Sequence, residues 1–224
     1  MTHVRESIST ALLIVGAFAA AQPSWAAAAA TPPLMDRQKE IALALSACPA
    51  SIAEKAAVYV LESSGYVKVR DSQNGFTALV QHSLPTSQEP QCMDAEGARS
   101  LLQRMLKVAE LRAQGKSPEE IKRIVADLLA KGVLQPPSRP GIDYMLSTEN
   151  LVPDEKGVVD RFPAHVMFFG THLKNADLGS GGQGSGSPLF VAGEDSPFAL
   201  IIVPIASHGG SSHTVGDKAS DGSK

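Results

Sequence analysis

The chain has 224 residues and a formal net charge of −3 at pH 7. This length suits one well-packed domain behind a short leader and is too short for two comfortable domains. The mild acidity argues against non-specific nucleic-acid binding, which requires a basic surface that neutralises phosphates, so no nucleic-acid partner is expected.

The first 26 residues have the pattern of an export signal. Arg5 supplies a weak positive charge, residues 8–21 form an apolar run, and Ser24-Trp25-Ala26 fits the small-x-small rule for cleavage. The run is too short to span a bilayer well, so a retained anchor is the less favoured alternative. We therefore expect a signal peptide over 1–26, a linker over 27–35, and a periplasmic or secreted protein with no membrane contact after cleavage.

Apolar spacing predicts an amphipathic helix over residues 36–47, which Pro49 ends or bends, followed by a strand over 57–61. Residues 65–81 carry Asn74-Gly75 between two β-rich runs, which is the pattern of a β-hairpin with a loop of two or four residues. This hairpin is the feature around which we expect the sheet to form.

Cys48 and Cys92 are the only cysteines of the chain. In an exported protein an even count indicates a disulfide first. Two free thiols or a shared metal ion are the alternatives. Zinc normally takes four ligands, and neither cysteine has a cysteine or histidine partner close by in sequence. A Cys48–Cys92 disulfide is therefore the favoured prediction.

A helical hairpin is the strongest local prediction. Asp94 caps its first helix, with Glu96 in the first turn, and Gly115 ends it. Ser117 then starts a second helix, with a proline at the first position and two acids after it, and Gly132 ends that helix. Residues 114–117 join the two helices.

The second half of the chain is predicted to be mostly strands. They follow a rigid proline-containing spacer at 136–141, and we place them at residues 142–147, 158–159, 165–169, 189–191 and 198–203. Residues 207–224 contain too few apolar side chains to fold and are predicted to be a disordered tail. The single domain, residues 36–206, is therefore α+β, with a largely antiparallel sheet on which the N-terminal helix and the helical hairpin pack.

His165, His172 and Asp177 are the only compact set of metal-type ligands in the sequence. The two histidines are seven positions apart, which places them on opposite faces of one continuous strand, so a shared site requires a bend near Gly170. The simpler interpretation is that His165 caps a strand and His172 lies in a solvated loop. No spacing here matches a known metal-binding pattern.

Other catalytic motifs are weak. Residues 179–184 match G-x-G-x-x-G, but a strand follows them where a dinucleotide site requires the N-terminus of a helix, so this interpretation is rejected. The sequence has no G-x-S-x-G nucleophile elbow. Asp94 and Glu96 would form an acid pair, but helix capping explains both.

The chain resembles a group of exported bacterial proteins that are known mainly as uncharacterised sequences with no assigned activity. The similar segments cover most of the mature chain and lie at residues 65–77, 91–97, 139–142, 175–177 and 199–204. The resemblance implies export and one shared domain. It also implies that many members have a cysteine at the position of Ala78, and hence a different partner for Cys92.

These observations favour a binding or envelope-associated domain, because the chain has a full core-forming pattern and no catalytic constellation. The expected partner is a small molecule or an envelope protein, and no cofactor is predicted. A metal-dependent hydrolase that uses His165, His172 and Asp177 is the alternative, and a small structural protein of the envelope is a third hypothesis.

Overall fold

The computed structural model describes residues 31–154 and 156–205. The helices are α1 (Arg37–Leu45), α2 (Ala50–Ala53), α3 (Ala95–Arg99), α4 (Leu101–Ala113) and α5 (Pro118–Ala130). The strands are β1 (Ala57–Glu62), β2 (Gly65–Arg70), β3 (Thr77–Gln81), β4 (Glu89–Met93), β5 (Ile142–Met145), β6 (Leu151–Pro153), β7 (Val159–Arg161), β8 (His165–Phe169), β9 (Phe190–Ala192) and β10 (Leu200–Pro204). The predicted signal peptide and C-terminal tail lie outside the described residues.

One 8-stranded sheet dominates the domain, in the order β2-β1-β3-β4-β5-β8-β10-β9, and β6 and β7 form a separate ribbon. β1 and β3 run parallel, whereas the other neighbouring strands of the described sheet run antiparallel. The α+β class is therefore confirmed. The sheet is mixed and more extensive than the largely antiparallel sheet that the sequence predicts.

The hairpin predicted over residues 65–81 is wrong. β2 pairs with β1, and β1 lies between β2 and β3. Asn74 and Gly75 do form a turn, in which the Asn74 amide donates to the carbonyl of Ile52 at 2.9 Å and Gly75 has a φ of 81°. The strands that this turn joins are therefore not neighbours. The prediction failed because side-chain alternation shows which face of a strand is buried, and does not show which strand lies beside it.

Both faces of the sheet are packed. Ala78 and Val80 of β3 belong to an apolar cluster with Ala44 and Ala47, which come from α1 and the turn after it. Leu79, between them, belongs to a second cluster with Leu101 and other residues of α4. β3 is therefore buried on both sides, and α1 and α4 lie on opposite faces of the sheet.

Cys48 and Cys92 are joined, with their sulfur atoms 2.07 Å apart, as predicted. Both side chains are buried in the cluster beneath α1. The bond ties the segment after α1 to β4 near the middle of the sheet. Ala78 lies directly opposite Cys92 in the β3–β4 ladder, so a cysteine there, which the resemblance implies for other proteins, would lie beside Cys92.

The predicted helical hairpin is formed by α4 and α5. Ser117 and Glu120 cap α5 reciprocally: the Glu120 N–H donates to the Ser117 hydroxyl at 3.2 Å, and the Ser117 N–H donates to the Glu120 carboxylate at 2.9 Å. The first helix differs from the prediction because it breaks at Ser100, whose hydroxyl donates to the Glu96 carbonyl at 2.6 Å. Asp94 caps the short helix α3 before this break, as predicted.

Glu96 is a buried carboxylate, although the sequence indicates only a favourable position in a first helical turn. Its side chain is 3% exposed and accepts hydrogen bonds from Arg99 at 2.5 Å, from Arg139 at 3.2 Å and from the Ser138 N–H at 2.7 Å. The Arg99 hydrogen bonds are the largest cause of the lowered pKa of Glu96, which is about 2. The carboxylate thereby fastens α3 to the spacer at 136–141.

Replacing Glu96 with Gln should destabilise the fold by about 2 kcal/mol at neutral pH, because two guanidinium groups lose their shared carboxylate. The pKa of this carboxyl falls from 4.5 to about 2 on folding, so its contribution is complete above pH 4.5 and is lost as the pH falls towards 2. Urea denaturation of Glu96→Gln and wild type across this range should show the difference in stability shrinking. Glu119→Gln, an exposed carboxylate on α5, is the control, and a pH-independent difference would contradict the assignment.

Loss of the Cys48–Cys92 bond should lower the free energy of unfolding by about 4 kcal/mol, because the bond closes a loop with a sequence separation of 44 and restricts the unfolded chain. The paired variant Cys48→Ala/Cys92→Ala is preferable to either single change, since it leaves no free thiol. Denaturant unfolding without reductant measures the difference. Equal stability of the paired variant and wild type would mean that packing alone holds the segment after α1.

Candidate functional site

A cleft of about 170 Å³ lies between α4 and the adjoining ends of β1, β2 and β3. We call it the α4 cleft. Its apolar surface comes from Leu61 of β1 and from Met105, Val108 and Ala109 of α4. The three α4 residues share one face of the helix, since they are spaced by three and four positions. Pro32, which is buried, closes one side.

Tyr66 forms part of the cleft wall by reaching across the sheet. Its hydroxyl donates to the carbonyl of Val80 at 2.5 Å, so the side chain of a β2 residue crosses β1 to reach β3. Burial raises the pKa of Tyr66, so the phenol stays protonated. Gly65, before it, lets α4 approach closely, because a Cβ at this position would lie 3.3 Å from the backbone nitrogen of Glu110.

Arg112 holds the turn that follows β3 against α4. Its guanidinium donates to the carbonyl of His82 and, at 2.7 Å, to that of Ser83. Glu89 holds the same turn, since it accepts from the Ser83 N–H at 2.9 Å, from the Ser83 hydroxyl at 2.8 Å and from the Ser87 hydroxyl at 2.5 Å. Burial raises the pKa of Glu89, and these hydrogen bonds oppose that shift. The turn is therefore a rigid wall of the cleft.

His82 is buried in this wall, and its Nδ1 lies 2.5 Å from the carbonyl of Ser87. A carbonyl only accepts hydrogen bonds, so the proton of the neutral ring is on Nδ1. Burial lowers the pKa of His82, which keeps the ring neutral near pH 7. His82 therefore contributes a neutral polar group to the cleft and no positive charge.

Arg104 lines the α4 cleft at an exposed position, although burial of its guanidinium lowers its pKa. Its guanidinium lies 5.3 Å from the centre of the Phe198 ring. Within the described ranges 31–154 and 156–205, no carboxylate forms an ion pair with it. The acid that lines the cleft, Glu62, lies 3.7 Å from Arg37 instead. The cleft therefore presents a positive charge beside an apolar surface.

The predicted metal ligand His165 is engaged elsewhere. Its Nδ1 lies 2.8 Å from the carbonyl of Pro163, and its ring packs edge-on against Phe162 with ring centres 4.9 Å apart. The side chain is buried, and burial lowers its pKa. His165 is thus a packed strand residue, which is the simpler of the two interpretations that the sequence allows.

His172 and Asp177 also have partners of their own. The His172 Nδ1 lies 3.0 Å from the carbonyl of Asp195, and the Asp177 carboxylate accepts from the Lys174 N–H at 2.8 Å at the start of a short 3₁₀ turn. Both side chains are exposed, whereas His165 is buried. Across the part of the chain that the structure describes, no group of three His, Cys, Asp or Glu side chains could hold a metal ion. The predicted triad is therefore not assembled.

Sequence reasoning did not identify the residues of the α4 cleft. Arg104 and Arg112 each lie four positions from Val108, so two cations on the apolar face of one helix were a usable signal. Tyr66 and Glu89 carry no such signal, because only the order of the strands brings them to the same place.

Asp143 of β5 is an unusual buried group outside the α4 cleft. Its Oδ1 accepts from the Cys92 N–H at 3.1 Å, while its Oδ2 has no hydrogen-bond partner among the described residues. Burial is the largest cause of its raised pKa, which is about 8, and the nearby charge of Asp94 adds to the shift. The carboxyl is therefore mostly protonated at neutral pH. It destabilises the fold at every pH at which the same carboxyl would be ionised in the unfolded chain.

Replacing Asp143 with Asn should stabilise the protein above pH 4. The wild-type carboxyl ionises with a pKa of 3.8 when unfolded and about 8 when folded, so wild-type stability falls as the pH rises between these values. Asn keeps the acceptor for Cys92 and does not ionise. Denaturation should show similar stabilities near pH 4 and a gain above about 1 kcal/mol by pH 8. Asp160→Asn, at an exposed position, is the control, and an equal loss of stability at every pH would contradict the raised pKa.

Comparison with other proteins adds no family to this description. No protein-family model, no curated protein and no solved structure matches the chain. The resemblance to exported bacterial sequences, carried by segments such as 91–97, therefore stays a prediction. The chemistry of the α4 cleft is the basis on which a function is proposed.

Proposed function

We propose that the protein is an exported binding domain that holds a small molecule in the α4 cleft. Export is supported by the signal-peptide pattern of residues 1–26 and by the Cys48–Cys92 pair, since disulfides persist in oxidising compartments. Among the described residues, no helix has both the length and the apolar content needed to cross a bilayer.

The observation that carries the binding function is the Arg104 guanidinium, with no described carboxylate partner, beside the apolar residues Leu61, Met105 and Val108. Small-molecule sites are typically concave and mostly apolar, with a few polar groups that orient the ligand. The α4 cleft has this composition. Arg104 is free to take the orienting role, because no described carboxylate forms an ion pair with it.

The rigidity of the walls supports binding as well. Tyr66 donates to Val80, Arg112 donates to two carbonyls, and the Ser83 hydroxyl donates to Glu89. A ligand that enters a preformed cleft does not have to order these side chains, which lowers the free-energy cost of association. The polar groups of the wall are thus used to hold its shape, which favours a binding role over turnover.

A screen with a cleft-blocking variant tests this function. Ala113 is the last residue of α4, is exposed and lines the cleft, so Ala113→Trp should cover the opening. Ala130, the exposed last residue of α5, provides the matched control Ala130→Trp. We expect compounds from a metabolite library to shift amide resonances of cleft residues in two-dimensional NMR spectra of wild type and Ala130→Trp. The same compounds should not shift them in Ala113→Trp.

Two results would contradict the proposed function. One is binding that is unchanged in Ala113→Trp, which would place the ligand elsewhere. The other is turnover by the purified protein in a broad hydrolase screen, abolished by a single side-chain change. Turnover that depended on His165, His172 and Asp177 would favour the metal-dependent hydrolase instead.

A further inference from the structure

The volume of the α4 cleft limits the size of its ligand. An engineered apolar cavity of about 150 Å³ binds benzene, and the α4 cleft measures about 170 Å³. Leu61, Met105 and Val108 provide apolar contacts, and the buried Pro32 closes one side. The apolar part of the ligand is therefore about the size of one six-membered ring or a branched aliphatic chain.

The charges around the α4 cleft determine the sign of the charge on its ligand. Arg112 is engaged by two backbone carbonyls, and the carboxylate of Glu62 lies 3.7 Å from Arg37. His82 is neutral, because burial lowers its pKa. Arg104 and Arg112 thus outnumber Glu62 among the charged groups that line the cleft, and Arg104 is the arginine that no described carboxylate pairs with. The cleft therefore favours an anion and disfavours a cation.

The position of Arg104 suits a carboxylate. A guanidinium is planar, and its N–H groups form a fork that matches the two oxygens of a carboxylate. The guanidinium carbon lies 5.3 Å from the centre of the Phe198 ring, a cation–π contact in which the cation lies over the face of the ring. Among the described residues, no carboxylate pairs with the Arg104 guanidinium, so its N–H groups are available for a ligand.

Resting on the proposed function of the α4 cleft, we infer that its ligand is a small aromatic or branched aliphatic monocarboxylate. The carboxylate is bound by Arg104, and the apolar body lies against Leu61, Met105 and Val108. A bare inorganic anion is a poorer fit, because it would leave this apolar surface in contact with water.

Three compounds with the same ring and different charge test the inference: benzoate, benzamide and benzylamine. Each is titrated into the isotopically labelled protein at low chloride concentration, and the dissociation constant is taken from the shifts of cleft amide resonances. We expect benzoate to bind at least about tenfold more tightly than benzamide, because a hydrogen bond to a charged group is worth more than a neutral one. Benzylamine should not bind measurably.

Variants of Arg104 test whether this side chain is the source of the preference for an anion. Arg104→Gln should weaken benzoate about tenfold or more and leave benzamide unchanged. Arg104→Lys keeps the charge without the fork, so it should recover part of the loss. Arg123→Gln, at an exposed position on α5, is the matched control and should bind benzoate like wild type.

Each contrary result overturns the inference in its own way. Equal binding of the three compounds would remove the preference for an anion, although the cleft would remain a binding site. A loss of all three ligands in Arg104→Gln would show a structural effect and not a charge effect. No binding of benzoate would exclude this ligand class, and the screen with Ala113→Trp would still decide whether the cleft binds other molecules.

Discussion

The parallel pairing of β1 with β3 is the contact on which the rest of the site depends. Ala57 lies opposite Thr77 and Val58 opposite Ala78, which inserts β1 between β2 and β3. The β2 residue Tyr66 then has to cross β1 to reach the Val80 carbonyl. The same arrangement brings the end of β1, with Leu61, under α4. Direct pairing of β2 with β3 would place these groups differently, and the α4 cleft would not form as it does.

The buried and half-buried charges of the domain are compensated in different ways. Glu96 is paired with Arg99 and Arg139, and its pKa is lowered. Burial raises the pKa of Glu89, and hydrogen bonds from hydroxyl and amide donors oppose that shift. Burial also raises the pKa of Asp143, which has only one donor to oppose it. These outcomes follow from one rule: a buried charge is kept when it is paired and is neutralised by a proton when it is not.

Arg104 departs from this pattern because burial lowers the pKa of its guanidinium while no described carboxylate pairs with it. An unpaired cation at a solvated surface needs no explanation, but one at the edge of an apolar cleft is suited to a ligand. The nearby Arg112, by contrast, is a structural cation that holds the turn after β3. Two arginines on one helix face thus have different roles, which their spacing alone does not distinguish.

Local interactions were predictable from the sequence by itself. Each of these features depends on residues a few positions apart, so the sequence shows the groups that form it. They are the helix caps at Asp94 and Ser117, the loop between α4 and α5, and the turn at Asn74. The Cys48–Cys92 pair was predictable for another reason, namely that only two cysteines exist.

Only the tertiary structure decided the order of the strands and the contents of the α4 cleft. Side-chain alternation tells which face of a strand is buried, but the choice of neighbouring strand depends on the packing of the whole sheet. The burial of Glu96 against the spacer at 136–141 and the meeting of Tyr66 with Arg112 at one cleft both depend on contacts between residues that are distant in sequence. The candidate site is therefore formed by contacts between residues that are far apart in the sequence, and spacing along the chain does not predict such contacts.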